Sequence, residues 1–129
     1  MSVVTKRHRK WLMRRAIQAS PFEACGFIFD DGSLIEMRNV SLNPYIGFQM
    51  SRDDMMNRVG EEGYSRIGAI WHTHPGGTCY PSKVDQDALF SGAIQKNWEY
   101  LIVTKDSVSS YSTKTLVVQD DSFWERFVA

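Results

Sequence analysis

Two hydrophobic periods alternate along this chain. Residues 5–19 contain no proline or glycine, and Val4, Trp11, Leu12, Ala16 and Ala19 are spaced to gather on one side of a helix. Ser20-Pro21 ends that stretch, because proline pushes its predecessor out of helical geometry. Cys25–Asp30 predicts a short strand, Asp31-Gly32 a hairpin turn and Leu34–Asn39 the returning strand. Ser51 then offers an N-cap, and Asp53-Asp54 an acidic first turn, for a helix to about Glu62 that stops at Gly63. Ile67–Thr73 is largely apolar, as expected of a central strand covered on both faces. Pro75-Gly76-Gly77 closes it, and Pro81-Ser82 opens a second helix to about Gln95. Strands at Tyr100–Thr104, Val108–Ser112 and Leu116–Gln119 complete the pattern. The order is not a regular βα alternation, so the expected fold class is α+β.

Composition narrows the function classes. A length of 129 residues fits a single domain, 1–129, and the 43% hydrophobic and 23% charged content is ordinary for a folded one. Fifteen basic residues balance fifteen acidic ones, so no global charge draws the chain to nucleic acid or an anionic membrane. Lys6, Arg7, Arg9, Lys10, Arg14 and Arg15 all precede the first acid, Glu23. No aromatic-studded basic motif accompanies them, so they read as the solvated face of the first helix, with His8 a surface residue among them. Cys25 and Cys79 lie too far apart to resemble a secreted disulfide framework. No apolar run approaches the ~18 residues of a membrane span, and Trp11–Met13 is too short for a signal peptide. The default expectation is a soluble cytoplasmic protein with no nucleic-acid or membrane partner.

The chemistry concentrates in His72-Thr73-His74-Pro75-Gly76-Gly77 and the following Ser82-Lys83-Val84-Asp85. Residues two apart on a strand share a face, their Cα atoms ~6.6 Å apart, so two imidazoles so placed can converge on one ion. The glycine-rich turn lets the chain fold back, and Asp85, in the first turn of the next helix, can supply a third ligand. Three protein ligands leave a fourth position open, which distinguishes catalytic zinc from structural zinc. Glu23 is the candidate acid/base, beside Gly26, which would allow close backbone approach. Ser82 is the candidate oxyanion donor. Each residue also has a plainer role. Ser82 is a good N-cap, Asp85 a good first-turn acid, Glu23 an ordinary exposed acid, and His-x-His a weak motif alone. Trp71 alternates with His72 and should face away from the ligands, into the core.

Three alternatives share these residues. Two histidines and a carboxylate also hold non-haem iron. Cys79 could close a structural zinc site as a fourth ligand. A zinc-retaining module could present a surface to partners without catalysis.

Together, Glu23, His72-x-His74-Pro75-x-Gly77 and Ser82-x-x-Asp85 resemble the signature of the JAB/MPN/JAMM zinc metalloproteases. The resemblance implies His72, His74 and Asp85 as Zn2+ ligands, Glu23 as acid/base and Ser82 as oxyanion stabiliser. It implies a mixed, mainly antiparallel β-sheet flanked by helices, an architecture also like that of cytidine deaminases. It further implies hydrolysis of a peptide or isopeptide bond, with a peptide or ubiquitin-like protein as substrate. Asn39-Val40, Phe48-Gln49-Met50-Ser51 and Trp98-Glu99-Tyr100-Leu101-Ile102-Val103 are similar to segments of K-type phage tail assembly proteins. That likeness adds phage tail components as candidate partners and the virion as a candidate location. Those relatives usually continue into an NlpC-type cysteine peptidase domain, for which 129 residues leave no room.

Overall fold

The computed structural model describes residues 2–90, 94–95 and 97–112. Helix α1 (Lys6–Ala19) is followed by strands β1 (Cys25–Phe29) and β2 (Leu34–Met37). Helices α2 (Arg52–Arg58) and α3 (Gly60–Ser65) precede β3 (Ile67–Thr73). Helix α4 (Lys83–Phe90) leads to β4 (Glu99–Val103) and β5 (Val108–Tyr111). The five strands form one sheet in the order β2-β1-β3-β4-β5. All neighbours are antiparallel except β3 and β4, so the expected α+β class and mainly antiparallel sheet are present.

Alternation along the strands sorts the core into two layers. On one face, Leu12 and Ala16 of α1 pack on Ile28, Ala69, Trp71, Leu101 and Val103. On the other, Phe27, Ile70, Tyr100 and Ile102 pack beneath Met50, Met55 and Val59. Trp71 is fully buried in the α1 layer, edge-on to Trp11, and faces away from His72 as its alternation predicts. Burying a large apolar side chain contributes about 1.5–3 kcal/mol, so these layers, more than helix propensity, fix the strand register. Gly26 is needed there, since a Cβ would collide with the Ile35 carbonyl and the Trp71 ring.

Three local expectations differ from the structure. The helix expected from Ser51 to Glu62 is two helices, because Gly60 adopts φ +71° and breaks the ladder. Gly63 does not stop it, and α3 runs on to Ser65. The second expected helix is described over Lys83–Phe90, and Gln95, about where it was expected to reach, is not helical. His8 is buried, not on the surface. Its backbone N–H donates to Thr5 Oγ1 (3.2 Å) and its Nδ1 accepts from the Thr5 N–H (3.0 Å), a reciprocal N-cap. Its Nε2 then donates to the Gly32 carbonyl (2.7 Å), tying α1 to the β1–β2 turn. The strand expected at Leu116–Gln119 lies outside the described residues. Among the described residues, no helix is long and apolar enough to cross a membrane.

Candidate metal centre

Sheet register builds the site. Cys25 pairs with His72 across β1 and β3, which carries Glu23, just before β1, to the end of β3 where His74 stands. Two hydrogen bonds lock this corner: the Thr73 N–H donates to the Ala24 carbonyl (2.9 Å) and the Ala24 N–H donates to Thr73 Oγ1 (2.9 Å). On the other side the His74 N–H donates to the Val103 carbonyl (2.8 Å), extending the parallel pairing past β3. His72 and His74, two apart on one extended run, project to the same side. Their Nε2 atoms are 3.0 Å apart.

Asp85 closes the cluster from α4. Its Oδ1 lies 2.8 Å from His72 Nε2 and its Oδ2 lies 2.9 Å from His74 Nε2. Ser82 and Asp85 cap each other: the Ser82 N–H donates to Asp85 Oδ2 (2.8 Å), and the Asp85 N–H donates to Ser82 Oγ (3.2 Å). The Ser82 hydroxyl is therefore used as an acceptor and keeps its own proton for another partner. The Tyr100 hydroxyl donates to Asp85 Oδ1 (2.8 Å). The carboxylate is thus gripped at both oxygens.

Histidine orientation is set from outside the cluster. His74 Nδ1 donates to the Thr78 carbonyl (2.7 Å), leaving Nε2 to face the centre. The His72 ring is held by packing, stacked on Phe48 at 4.7 Å with Tyr100 tilted against it at 5.1 Å. Its Nδ1 is buried and has no hydrogen-bond partner among the described residues.

Glu23 is 5% exposed, and its Oε1 is buried with no hydrogen-bond partner among the described residues. Desolvation lifts its pKa to about 7; attraction to His74 opposes the rise and repulsion from Asp85 adds to it. Asp85 shifts the other way: burial alone would raise its pKa, but the two imidazoles and the Ser82 N–H pull it far below the usual range. Burial lowers the pKa of His72, whereas for His74 the Asp85 carboxylate outweighs desolvation and raises it. In the metal-free cluster Asp85 thus favours the protonated form of His74, while burial favours the neutral form of His72.

The donor set fits a cation. Glu23, His72 and His74 each place a donor atom within 4.8 Å of the others, so this group could hold a metal ion. Asp85 lies nearer to both imidazoles than that limit, so the two histidines serve either carboxylate. Donors around tetrahedral zinc stand about 3.3 Å apart, given bonds of about 2.0–2.1 Å. The His72–His74–Asp85 contacts need to open by only a few tenths of an ångström. Two imidazole nitrogens facing each other at 3.0 Å over a carboxylate are better satisfied by a shared cation than by shared protons.

All five residues singled out from the sequence come together. A cavity of about 270 Å3 is lined by Glu23, His74 and Ser82 with Tyr45, Ile46, Thr78, Tyr80 and Pro81. Sequence reasoning missed Tyr100, Phe48 and Asn39. Asn39 Nδ2 donates to the Glu23 carbonyl (2.8 Å) and the Gly47 carbonyl (3.1 Å), while its Oδ1 accepts from the N–H groups of Ser41 and Gln49. In the sequence Asn39 stood only as the last residue of the expected returning strand and in a segment that carried a family likeness, with nothing to tie it to Glu23. Cys25 is buried and its thiol is pushed up to about 12, so it is no nucleophile. Cys79 is half-buried in a loop held by the Tyr111 hydroxyl, which donates to the Cys79 carbonyl (2.7 Å).

Comparison with curated proteins finds no match. A family model describing prokaryotic homologs of the JAB domain matches residues 5–118.

Proposed function

The chain belongs to the family of prokaryotic JAB-domain homologs, and from that premise we propose that it is a zinc-dependent hydrolase of peptide or isopeptide bonds. The observation that carries this reading is the setting of Glu23. A buried carboxyl with a pKa near 7 and an unpartnered oxygen lines one cavity with His74 and Ser82. A structural metal site needs no such group.

His72, His74 and Asp85 would hold the zinc. Bound there, zinc supplies Lewis acidity, polarising a carbonyl and making water a competent nucleophile near neutral pH. Glu23 takes a proton from the attacking water, which its pKa suits it to do at neutral pH. The same carboxyl then delivers that proton to the leaving nitrogen. Ser82, whose oxygen already accepts from the Asp85 N–H, donates its hydroxyl proton to the carbonyl oxygen as negative charge builds there. Tyr100 and the Ser82 N–H hold Asp85, and Asn39 holds the backbone of Glu23, so the reacting groups need little reorganisation.

The test is metal analysis of the purified protein, with peptide hydrolysis before and after chelation, in the parent and in Glu23→Gln. The parent should carry one zinc and lose its activity to the chelator. Glu23→Gln should keep fold and zinc, with the rate down about 10²–10⁴-fold. Stoichiometric iron with oxygen-dependent turnover overturns the proposal. Zinc without hydrolysis in the parent makes the chain an interaction module instead.

A further inference from the structure

Resting on the hydrolase reading, we infer that the cavity beside Glu23 is a specificity pocket for one apolar side chain, aromatic or branched aliphatic, next to the scissile bond. Three large apolar side chains stand in solvent around it: Tyr45 is 55% exposed, Ile46 60% and Tyr80 70%. Exposed apolar residues scattered singly are ordinary, but a group that shares one cavity with a reactive carboxyl marks a binding surface. Among the described residues, neither core layer includes them.

The pocket walls are fixed to the reacting groups. The Glu23 N–H donates to the Pro44 carbonyl (2.8 Å), and Asn39 bridges the Glu23 and Gly47 carbonyls. The loop that carries Tyr45 and Ile46 is therefore pinned at the residue that carries the carboxyl. Phe22, immediately before Glu23, stacks on Tyr45 at 5.0 Å and backs that wall. Tyr80, which lines the same cavity, sits in the loop held by Tyr111 at Cys79 and by His74 at Thr78. A side chain held in this cavity thus has a set position relative to Glu23, His74 and Ser82, which line it too.

Size and polarity select the occupant. A volume of about 270 Å3 lies just below the ~300–1,000 Å3 of small-molecule pockets, so it suits one residue rather than a folded surface. Among its lining residues the ionisable groups that face the reaction are Glu23 and His74, and the outer wall offers aromatic rings, prolines and Ile46. A tail of glycines leaves these walls uncovered. Burying an aromatic or leucine side chain between them should improve binding on the order of ten- to a hundredfold over glycine.

The test separates this pocket from hydrolysis by measuring binding to zinc-loaded Glu23→Gln, which does not consume the peptide. Fluorescein-labelled alanine hexapeptides carry a single Phe, Leu or Gly at each position in turn, and affinity is read by anisotropy. One position should favour Phe or Leu over Gly at least tenfold. Tyr80→Ser or Ile46→Ser should abolish that preference, while Met56→Ser, an exposed apolar residue on α2, should preserve it. Equal binding of the Phe, Leu and Gly series overturns the pocket, as does a preference unaffected by Tyr80→Ser and Ile46→Ser. A preference that behaves as expected in a protein whose parent hydrolyses nothing sustains the pocket and removes only the hydrolase reading.

Discussion

Replacing Tyr100 by phenylalanine removes one hydroxyl and keeps the ring that packs against His72. That hydroxyl donates to Asp85 Oδ1 at 2.8 Å, both residues being buried. Oδ1 is the oxygen that also faces His72, while Oδ2 stays held by the Ser82 N–H. The variant should thus leave Oδ1 with His72 as its remaining contact, while Oδ2 keeps the Ser82 N–H. A hydrogen bond to a charged group is worth about 1.5–3 kcal/mol, which sets the expected loss of stability in the metal-free protein. Partners that orient metal ligands typically change affinity about 10–100-fold, or about 1.4–2.7 kcal/mol, which sets the expected loss of zinc binding. Competition with a chromogenic chelator gives the affinity, and urea melts of the chelated protein give the stability. In an Asp85→Asn background the same substitution should cost much less, because the charged acceptor is gone. Parental zinc affinity in Tyr100→Phe, or an equal penalty in both backgrounds, would refute the idea that Tyr100 acts through Asp85.

Four further outcomes concern the ionisation of the cluster and the two cysteines. In the metal-free protein Glu23 keeps its proton up to about pH 7, against 4.5 for an ordinary glutamate, so the folded state binds more protons between those values. The stability this contributes is complete below pH 4.5 and lost as pH rises through 7. Urea midpoints should fall over that window in the parent and stay flatter in Glu23→Gln. Asp85 favours the protonated form of His74 and zinc needs its bare nitrogen, so calorimetric titrations in buffers of different ionisation enthalpy should report proton release that grows as pH falls; none would contradict the upward shift at His74. Cys79→Ala should retain zinc and fold, and unfolding with zinc loss would instead reveal a closed structural site; Cys25 should resist thiol reagents until the protein unfolds.

Much of the fold was legible because its signals are local. The period change from helix to strand, Ser20-Pro21, Asp31-Gly32 and the apolar run Ile67–Thr73 each act within a few residues, and each falls at an element or its end. The failures came where a local signal met a tertiary partner. His8 carries a polar side chain in a basic run, yet its ring completes the helix cap and reaches Gly32, 24 residues away. Gly60 rather than Gly63 ends the first helix because the backbone there takes a left-handed turn, and composition does not say which of two glycines will do so.

The site divides along the same line. His72, His74, Ser82 and Asp85 lie within 14 residues, and the strand-turn-helix between them is enough to predict that they meet. Glu23 is far away in sequence, and its arrival depends on β1 pairing with β3 in the register that sets Cys25 opposite His72. A slip of one residue would turn Cys25 and Phe27 out of their core layer, so burial of those side chains positions the carboxyl. Tyr100 needed still more: not only the alternation that puts it on the His72 face, but the parallel pairing of β3 with β4 that brings that face beside Asp85. The ligand candidates are written in neighbouring residues, whereas the groups that hold and assist them are written in sheet order.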